Sequence, residues 1–505
     1  MRRSATGEAF PGGVLSGRTP RIRPWVRWAP AWCCAVVLLW ACYDYGAFLN
    51  PSRPATAIAV PALGLIWALS LLLTRRRDNA TQRRAPESGG RAPAAERRAP
   101  TATGPRPGLV AWSLLALAVF GTLSAAWSLD RVESLVSGGI LFGGLVFLYV
   151  GQKIGGDHRL RASALLFVAT VGVIESLLGI AGFVLRYWRF AVEQDGALSA
   201  TGTFGYANAL AGLLLLTLAC TGALWLEIRA LSTPYTRLPR PMPARRRAPL
   251  TPTVFRALIG MAAALQVAAL VLTRSRAAGA IAAVLVLLFV IERAFRVGDD
   301  ARHRCLGIGL TVLLLCALVA GGVLIWREVS PQLAVSGLPP SDAEAGTEEL
   351  VPMTSNSFRL KTWAAALEAF HERPVAGYGL GTFYEAYSPF KLGGHTAYAH
   401  NVVVQHLVEV GTIGTLLLLA FLVIAVTRPM KAFADPSRGA RSLLLMGALA
   451  FALHNLVDLT WYFPALFYTF TLVLGLMAQP PLRAPAPPFD GTSSAPVVCS
   501  KGRYG

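Results

Sequence analysis

The chain has 505 residues, of which 54% are hydrophobic and only 15% are charged. Soluble domains carry about 25% charged residues, so this composition excludes an ordinary soluble protein if the apolar residues form runs long enough to cross a membrane. The net charge of +20 would suit a nucleic-acid-binding protein, but the distribution of that charge argues against this class.

The apolar residues form twelve candidate transmembrane spans, each close to the length of about 20 residues that crosses a bilayer as a helix. The spans cover residues 29–48, 55–74, 108–127, 133–152, 162–185, 205–226, 255–273, 277–295, 305–326, 408–427, 442–461 and 463–479. The predicted fold is an all-α polytopic membrane protein. Its transmembrane domain is expected at 29–479, after a basic cytoplasmic amino terminus at 1–28 without an evident cleavable signal.

Basic residues predict the orientation in the membrane. With the amino terminus in the cytoplasm, 36 of the 47 Lys and Arg residues lie in cytoplasmic segments. This positive-inside pattern predicts that both termini are cytoplasmic. The basic linker at 75–107 lacks aromatic residues and is predicted to be disordered, like the tail at 480–505. We therefore expect the basic cytoplasmic segments to face the anionic lipids of the inner leaflet, and we expect no binding to nucleic acid.

The seven cysteines give no sign of a disulfide framework or a metal site. Six of them lie in spans or at their edges, and none forms a ligand-spaced pair with a histidine. We expect neither a metal nor another cofactor.

One large outer loop is predicted at 327–407. Its segment NSFRLKTWAAALEAFHERP repeats apolar residues at helical spacing, so an amphipathic helix should lie on the outer membrane surface and end before Pro374. The polar side of this helix carries Arg359. The next stretch, GYGLGTF, offers Tyr378, Gly379 and Gly381. Its backbone amides either cradle a phosphate or simply form a turn.

His400 opens the stretch HNVVVQHLVEVGTIG, which leads into the tenth span. On a helix, Asn401, Gln405 and Glu409 share one face, and polar groups at this depth are costly unless they line a cavity. Nearby, LTRSRAAGA places Arg274 and Arg276 at the outer ends of two spans. Snorkelling to the interface is the alternative explanation for Arg274.

Two further stretches carry polar residues at the outer ends of spans. Asn208 in TGTFGYANALAG binds substrate or a neighbouring helix. The stretch HNLVDLTWYFP adds His454, Asn455 and Asp458. Arginines bind phosphates through paired, charge-assisted hydrogen bonds, and histidine is the usual base near neutral pH. An outer site with Arg276, Arg359 and His400 therefore suits transfer chemistry on a lipid-linked phosphate substrate.

Four stretches together resemble the O-antigen ligase and O-antigen polymerase superfamily. They are TGTFGYANALAG (201–212), LTRSRAAGA (272–280), residues 357–383 and AHNVVVQHLVEVGTIG (399–414). With the twelve spans and the large loop, the resemblance covers roughly 110–480. One departure is that the usual SRG reads SRA here, which affects the backbone near Arg276.

The resemblance implies a metal-independent membrane glycosyltransferase with a C-type glycosyltransferase fold. It implies an undecaprenyl-diphosphate-linked glycan donor, used on the outer face of the cytoplasmic (inner) membrane. The family's two arginines match Arg276 and Arg359, and its loop histidine matches His400. The acceptor stays open, because ligases use a lipid A core sugar, polymerases extend an O-antigen or exopolysaccharide, and related O-oligosaccharyltransferases use hydroxyls of proteins.

In the expected mechanism, Arg276 and Arg359 hold the diphosphate and His400 takes the proton of an acceptor hydroxyl, with inversion at the anomeric carbon. The expected substrate-binding residues are Arg274, Asn208, Tyr378, Gly379, Gly381, His395, Tyr398 and Asn401. A twelve-span transporter is the non-enzyme alternative, but its expected mid-membrane charges are nearly absent, with Glu175 the main exception. A non-catalytic scaffold would tolerate loss of the histidine and both arginines.

Overall fold

The structure is a computed structural model, and it describes residues 24–48, 52–66, 68, 108–194, 197–232, 252–297, 356–392, 396–430 and 439–477. Several predictions lie outside the described residues. They concern the ninth span, the linker at 75–107, the first part of the outer loop, the tail and the substrate contact of His395.

Helices make up most of the described chain. In chain order they are α1 (Pro24–Tyr43), α2 (Ser52–Ile66), α3 (Leu109–Leu123), α4 (Arg131–Gly155), α5 (His158–Leu185), α6 (Ala207–Ser232), α7 (Pro252–Leu272), α8 (Arg276–Val297), α9 (Asn356–Glu372), α10 (Phe383–Tyr387), α11 (Val402–Met430), α12 (Gly439–His454) and α13 (Pro464–Met477).

Apolar helices occupy eleven of the twelve predicted spans. Six of these helices, α3 to α7 and α11, are long and apolar enough to cross a membrane. The other five, α1, α2, α8, α12 and α13, are shorter apolar helices. The protein is therefore a polytopic membrane protein, and the total of twelve spans stays a prediction.

A β-hairpin between α5 and α6 corrects the all-α prediction. Strand β1 (Ala191–Gln194) pairs antiparallel with β2 (Ala197–Ala200), with Ala191 opposite Ala200. The sequence Asp195-Gly196 between the strands is a common signal for a hairpin turn. The hairpin was missed because its strands are only four residues long and adjoin two strongly apolar spans.

The shortest apolar helix, α13, is completely buried. All of its residues from Pro464 to Met477 are buried, and its most extensive packing is against α4. At that contact Gly151 faces Gly475, and a Cβ built on Gly151 would lie 2.6 Å from the carbonyl oxygen of Leu472. Small residues let two membrane helices approach closely, so α13 forms the centre of the bundle.

Helix α11 is interrupted at Gly411, whose φ of 63° and ψ of −165° are not helical. The segment after α9 fills the gap. Thr412 N–H donates to the carbonyl of Pro374 (2.8 Å), and Gly379 N–H donates to the carbonyl of Glu409 (2.7 Å). A break in a helix leaves backbone groups without partners, and here the loop after α9 supplies them. The Gly411 break thus fastens α9 to α11.

We expect Gly411→Ala to destabilise the protein. Its backbone conformation belongs to a region that is essentially restricted to glycine, at a cost of about 1–3 kcal/mol for other residues. An added Cβ would also collide with the carbonyl oxygen of Val375. Thermal unfolding in detergent measures the effect, with Gly260→Ala on α7 as the control because nothing lies near its Cβ position. Equal melting temperatures for the two variants would contradict this account.

Candidate active site

Asp458 is the centre of a buried polar cluster just after α12. Its carboxylate accepts hydrogen bonds from the Tyr206 hydroxyl (3.0 Å), the Asn208 side-chain amide (2.5 Å) and the Leu459 backbone (2.8 Å). The Asn208 amide also donates to the Tyr206 hydroxyl at 3.1 Å. The start of α6 is therefore held against the end of α12, and Asn208 fits the helix–helix interpretation.

Arg359 on α9 extends this cluster. Its guanidinium lies 3.8 Å from the Asp458 carboxylate, and its side chain is 21% exposed. The indole N–H of Trp363, on the same helix, donates to the carbonyl of Ala399 at 2.7 Å. This bond holds the loop that carries His400 against the helix that carries Arg359.

His400 is held on both sides by backbone hydrogen bonds. Before it, Ala399 accepts from Trp363, and after it, Val402 N–H donates to the carbonyl of Asn455 at 2.9 Å. His400 itself has φ of 51°, a left-handed conformation that is uncommon outside glycine. Its ring Nδ1 is buried and makes no hydrogen bond to the described residues. A ring with a free nitrogen on a loop held in this way suits a group that accepts a proton from a substrate.

The surroundings of His400 keep it neutral. Burial lowers the pKa of His400 below its ordinary value, Arg359 lowers this pKa further, and Asp458 acts in the opposite direction. Burial dominates because the charged imidazolium loses its hydration. The ring is therefore unprotonated at neutral pH, as a general base must be.

This lowered pKa predicts the pH dependence of the reaction. A base with a free histidine's pKa of about 6.5 would lose activity as pH falls through that value. Here kcat/KM for the acceptor should stay constant down to about pH 6.5 and fall only below it. Asp458→Asn removes the charge that raises the His400 pKa, so the acidic limb should move to still lower pH. An acidic limb above pH 6.5, or a shift upward in Asp458→Asn, would contradict the assignment.

The predicted polar stripe on α11 has internal partners. The side-chain oxygen of Asn401 accepts from the backbone of Val403 (2.9 Å) and Val404 (3.2 Å) and so caps the helix. Gln405 accepts from Ala399 N–H at 3.1 Å and donates to Glu409 at 2.7 Å. These residues stabilise the His400 loop, and the substrate contact of Asn401 stays a prediction.

The glycine-rich stretch forms a turn packed against α11. The N–H of Tyr378 donates to the carbonyl of Val408 at 3.1 Å, and that of Gly379 donates to Glu409. The N–H of Leu380 donates to the Ser124 hydroxyl at 2.9 Å. Because these three amides already have acceptors in the protein, the structure favours the turn over a phosphate cradle at Tyr378 and Gly379.

Arg274 and Arg276 lie in a different place. Both are exposed at the tight turn between α7 and α8, and both line a cavity of about 660 Å³ between α6, α7, α8 and α12. Its other lining residues are mostly apolar, for example Leu215, Val271 and Ala450. We call this cavity the apolar cavity. Neither Arg359 nor His400 belongs to its lining. The structure therefore brings Asn208, Arg359 and His400 together around Asp458. It places Arg274 and Arg276 in a separate group at the apolar cavity.

The two groups lie at the same end of the bundle. On α6, Leu215 in the apolar cavity is seven residues beyond Asn208, which corresponds to about 10 Å along a helix. On α12, Ala450 precedes His454, at the end of the helix, by four residues or about 6 Å. The apolar cavity thus begins within about two helical turns of the Asp458 cluster.

From the sequence, Asp458 was noted as a polar residue at the outer end of a span, but neither Asp458 nor Tyr206 was assigned to the site. The available signal was the density of polar residues in HNLVDLTWYFP, a stretch at the end of an apolar span. His454 also belongs to this region, and its buried Nε2 makes no hydrogen bond to the described residues. Among those residues no group of three or more His, Cys, Asp or Glu side chains is arranged to hold a metal, and metal independence stays a prediction.

A match to a protein family covers the part of the chain that contains all three predicted catalytic residues. Residues 261–419 match the family model described as O-antigen ligase. The matched segment contains the second half of α7, helices α8 to α10 and the first part of α11, and therefore Arg276, Arg359 and His400. No curated protein gives a significant match to the chain. The family match agrees with the resemblance in the sequence motifs and supports the O-antigen ligase and polymerase superfamily.

Proposed function

We propose that this protein transfers a glycan from an undecaprenyl-diphosphate carrier to an acceptor hydroxyl, in the manner of an O-antigen ligase. Its family indicates glycan ligation or polymerisation at a membrane. The observation that carries the finer proposal is His400, a half-buried neutral histidine whose ring Nδ1 makes no hydrogen bond to the described residues. It lies beside Arg359 and close to an apolar cavity lined by two arginines.

The apolar cavity has the chemistry of a lipid-diphosphate site. Its aliphatic lining suits an isoprenoid chain, and Arg274 and Arg276 at its polar end suit the diphosphate. Each guanidinium can pair with two phosphate oxygens in one plane. From the sequence we expected Arg276 and Arg359 to hold the diphosphate together, and we revise this expectation. We assign Arg274 and Arg276, the two arginines of the turn, to the diphosphate, and Arg359 to the end of the diphosphate that is bonded to the reacting sugar.

The reaction follows from this arrangement. His400 accepts the proton of the acceptor hydroxyl as its oxygen attacks the anomeric carbon of the donor sugar. The bond from that carbon to the diphosphate oxygen breaks, and the diphosphate leaves with the electron pair. The arginines stabilise the negative charge that develops there. Direct displacement inverts the anomeric carbon, and the protonated His400 then releases its proton to water.

The charge asymmetry of the sequence supports an orientation with both termini in the cytoplasm of the cell. In this orientation the outer ends of α6, α7, α11 and α12, and with them His400, face away from the cytoplasm. A donor that has been moved across the cytoplasmic membrane would then meet the site at the outer face.

The test is a single-turnover transfer assay with purified protein and an undecaprenyl-diphosphate-linked glycan. Three acceptors are compared: a lipid A core oligosaccharide, a second lipid-linked glycan, and a peptide with Ser and Thr. We expect transfer to the core oligosaccharide. Transfer only to the second or third acceptor would identify a polymerase or a protein O-oligosaccharyltransferase. Glycan movement across proteoliposomes without transfer to any acceptor would support a transporter instead.

A further inference from the structure

A second cavity, of about 210 Å³, lies on another side of the His400 loop, and we call it the polar cavity. It is formed by α2, α4, α10 and α11 together with the glycine-rich turn and the segment before His400. The side chains that give it its character are Arg53, Asp130, Glu133, Tyr384, Glu385 and Tyr398. Gly381, one of the predicted substrate-binding residues, also contributes to the lining.

The polar cavity is acidic, whereas the apolar cavity is basic. Three carboxylates line the polar cavity, and its one arginine, Arg53, is already paired with Glu133 and donates to Ser137 at 2.9 Å. The described lining of the apolar cavity contains two arginines and no carboxylate. An anionic diphosphate is attracted to the basic cavity and repelled by the acidic one. The two cavities therefore suit two different substrates.

Aromatic rings give the polar cavity a second property. Tyr398 packs between Phe48 and Tyr462, with ring centroids 5.3 Å away on each side. Tyr384, Tyr398 and Tyr462 all contribute to the lining. A tyrosine ring offers an apolar face for the C–H groups of a sugar, and carboxylates accept hydrogen bonds from its hydroxyls.

Arg53 does not offer a free donor to a ligand. Its guanidinium is paired with Glu133 and donates to Ser137, and its Nε, which makes no hydrogen bond to the described residues, is inaccessible to solvent. The groups that the cavity presents to a sugar are therefore its carboxylate acceptors and its aromatic rings.

The position of the polar cavity relates it to the reaction. Tyr398 precedes His400 by two residues, and the Trp363 bond to Ala399 holds the segment between them. A sugar in the polar cavity would therefore lie beside the loop that carries the base.

We infer that the polar cavity binds the acceptor glycan through a neutral or amino sugar, and that its carboxylates reject anionic saccharides. This inference rests on the proposed function, since it assigns the second substrate of the same reaction. It also explains how one site keeps two glycan substrates apart: the diphosphate directs the donor to the basic cavity, and the acidic cavity accepts a sugar that carries no negative charge.

Binding can be tested without any donor. Saturation-transfer difference NMR on the full-length protein in detergent would compare glucose, galactose, glucosamine and glucuronic acid as probes. We expect glucosamine to bind best, glucose and galactose to bind measurably, and glucuronate to bind at least about tenfold more weakly than glucose. Equal binding of glucuronate and glucose, or no binding of any probe, would overturn the inference.

Glu385 is the residue to change, because it is exposed and its substitution should not disturb the fold. Glu385→Gln keeps the size of the side chain, removes one negative charge and should strengthen glucuronate binding about threefold. The matched control is Glu368→Gln, an exposed glutamate on α9 that is not part of the lining. The same change in both variants would show that the effect is one of overall charge, against the inference.

Kinetics separate this inference from the proposed function. In the transfer assay, Glu385→Gln should raise KM for the acceptor and leave kcat and the donor KM unchanged. Transfer with an unaltered acceptor KM would refute the acceptor site while the proposed function survives. Conversely, sugar binding in the expected order without transfer to any acceptor would refute the proposed function and leave the polar cavity as a sugar site.

Discussion

Replacing His400 with alanine should slow glycan transfer at least about a hundredfold, the lower end of the loss expected for a general base. The side chain makes no ring hydrogen bond to the described residues, so its removal breaks no such bond. The loop is held by the backbone bonds of Ala399 and Val402, which the substitution leaves in place. The variant should therefore fold, insert and bind the lipid-linked donor normally.

The measurement is single-turnover transfer with saturating donor, and His371→Ala is the matched control. His371 is exposed near the end of α9, close in sequence to the site but outside it. We also expect His395→Ala and His406→Ala to lose much less activity than His400→Ala. His406 is a poorer control, since it is buried with its ring nitrogen 2.9 Å from the carbonyl of Val402. Near-normal transfer by His400→Ala at neutral pH would make this residue a positioning group.

Substituting Arg276 with lysine should lower kcat/KM by about tenfold or more, although the charge is kept. Lysine offers a single ammonium and cannot form the planar pair of hydrogen bonds that a guanidinium makes with a phosphate. A charge-assisted hydrogen bond contributes about 1.5–3 kcal/mol, which sets this scale. Arg276 is exposed at the start of α8, so the loss should appear in donor use rather than in stability.

Arg274→Lys is the matched control, because Arg274 lines the same cavity two residues earlier. We expect a smaller loss there, because we assign Arg274 a secondary phosphate contact that any long cationic side chain reaching the interface can largely keep. A donor titration for both variants distinguishes the two roles. If Arg276→Lys transfers at the wild-type rate, the phosphate contact is wrong and the interface explanation applies to both arginines.

Much of the fold could be predicted from the sequence. Apolar runs of membrane length were found at eleven positions where the structure has apolar helices. The helix predicted before Pro374 was confirmed by α9, which ends at Glu372. These features depend on local periodicity and on proline, and both are visible in a short window of sequence.

The contacts between distant segments could not be predicted in this way. The pairing of Asn208 with Asp458 joins residues 250 positions apart. The glycine-rich turn was ambiguous because only the structure shows that its amides bond to α11. The sequence did indicate the residue types of the site, since arginine and histidine are unusual at the end of an apolar span. It did not show that Arg276 and Arg359 belong to different groups.

The Gly411 break separates the part of α11 that holds the site from the part that meets lipid. From Val408 to Ile413, the helix is fastened through the loop after α9, and before Gly411 its own buried polar side chains add to this attachment. Beyond Gly411, the side chains of Ile413, Leu416, Leu419 and Val423 are exposed along one side of the helix. A bilayer thicker or thinner than the protein's apolar belt is accommodated by tilting of lipid-facing helices. Because the hydrogen-bond ladder of α11 is interrupted at this point, we expect the part beyond Ile413 to tilt with the bilayer while His400 keeps its place beside Arg359, so that the geometry of the site depends little on membrane thickness.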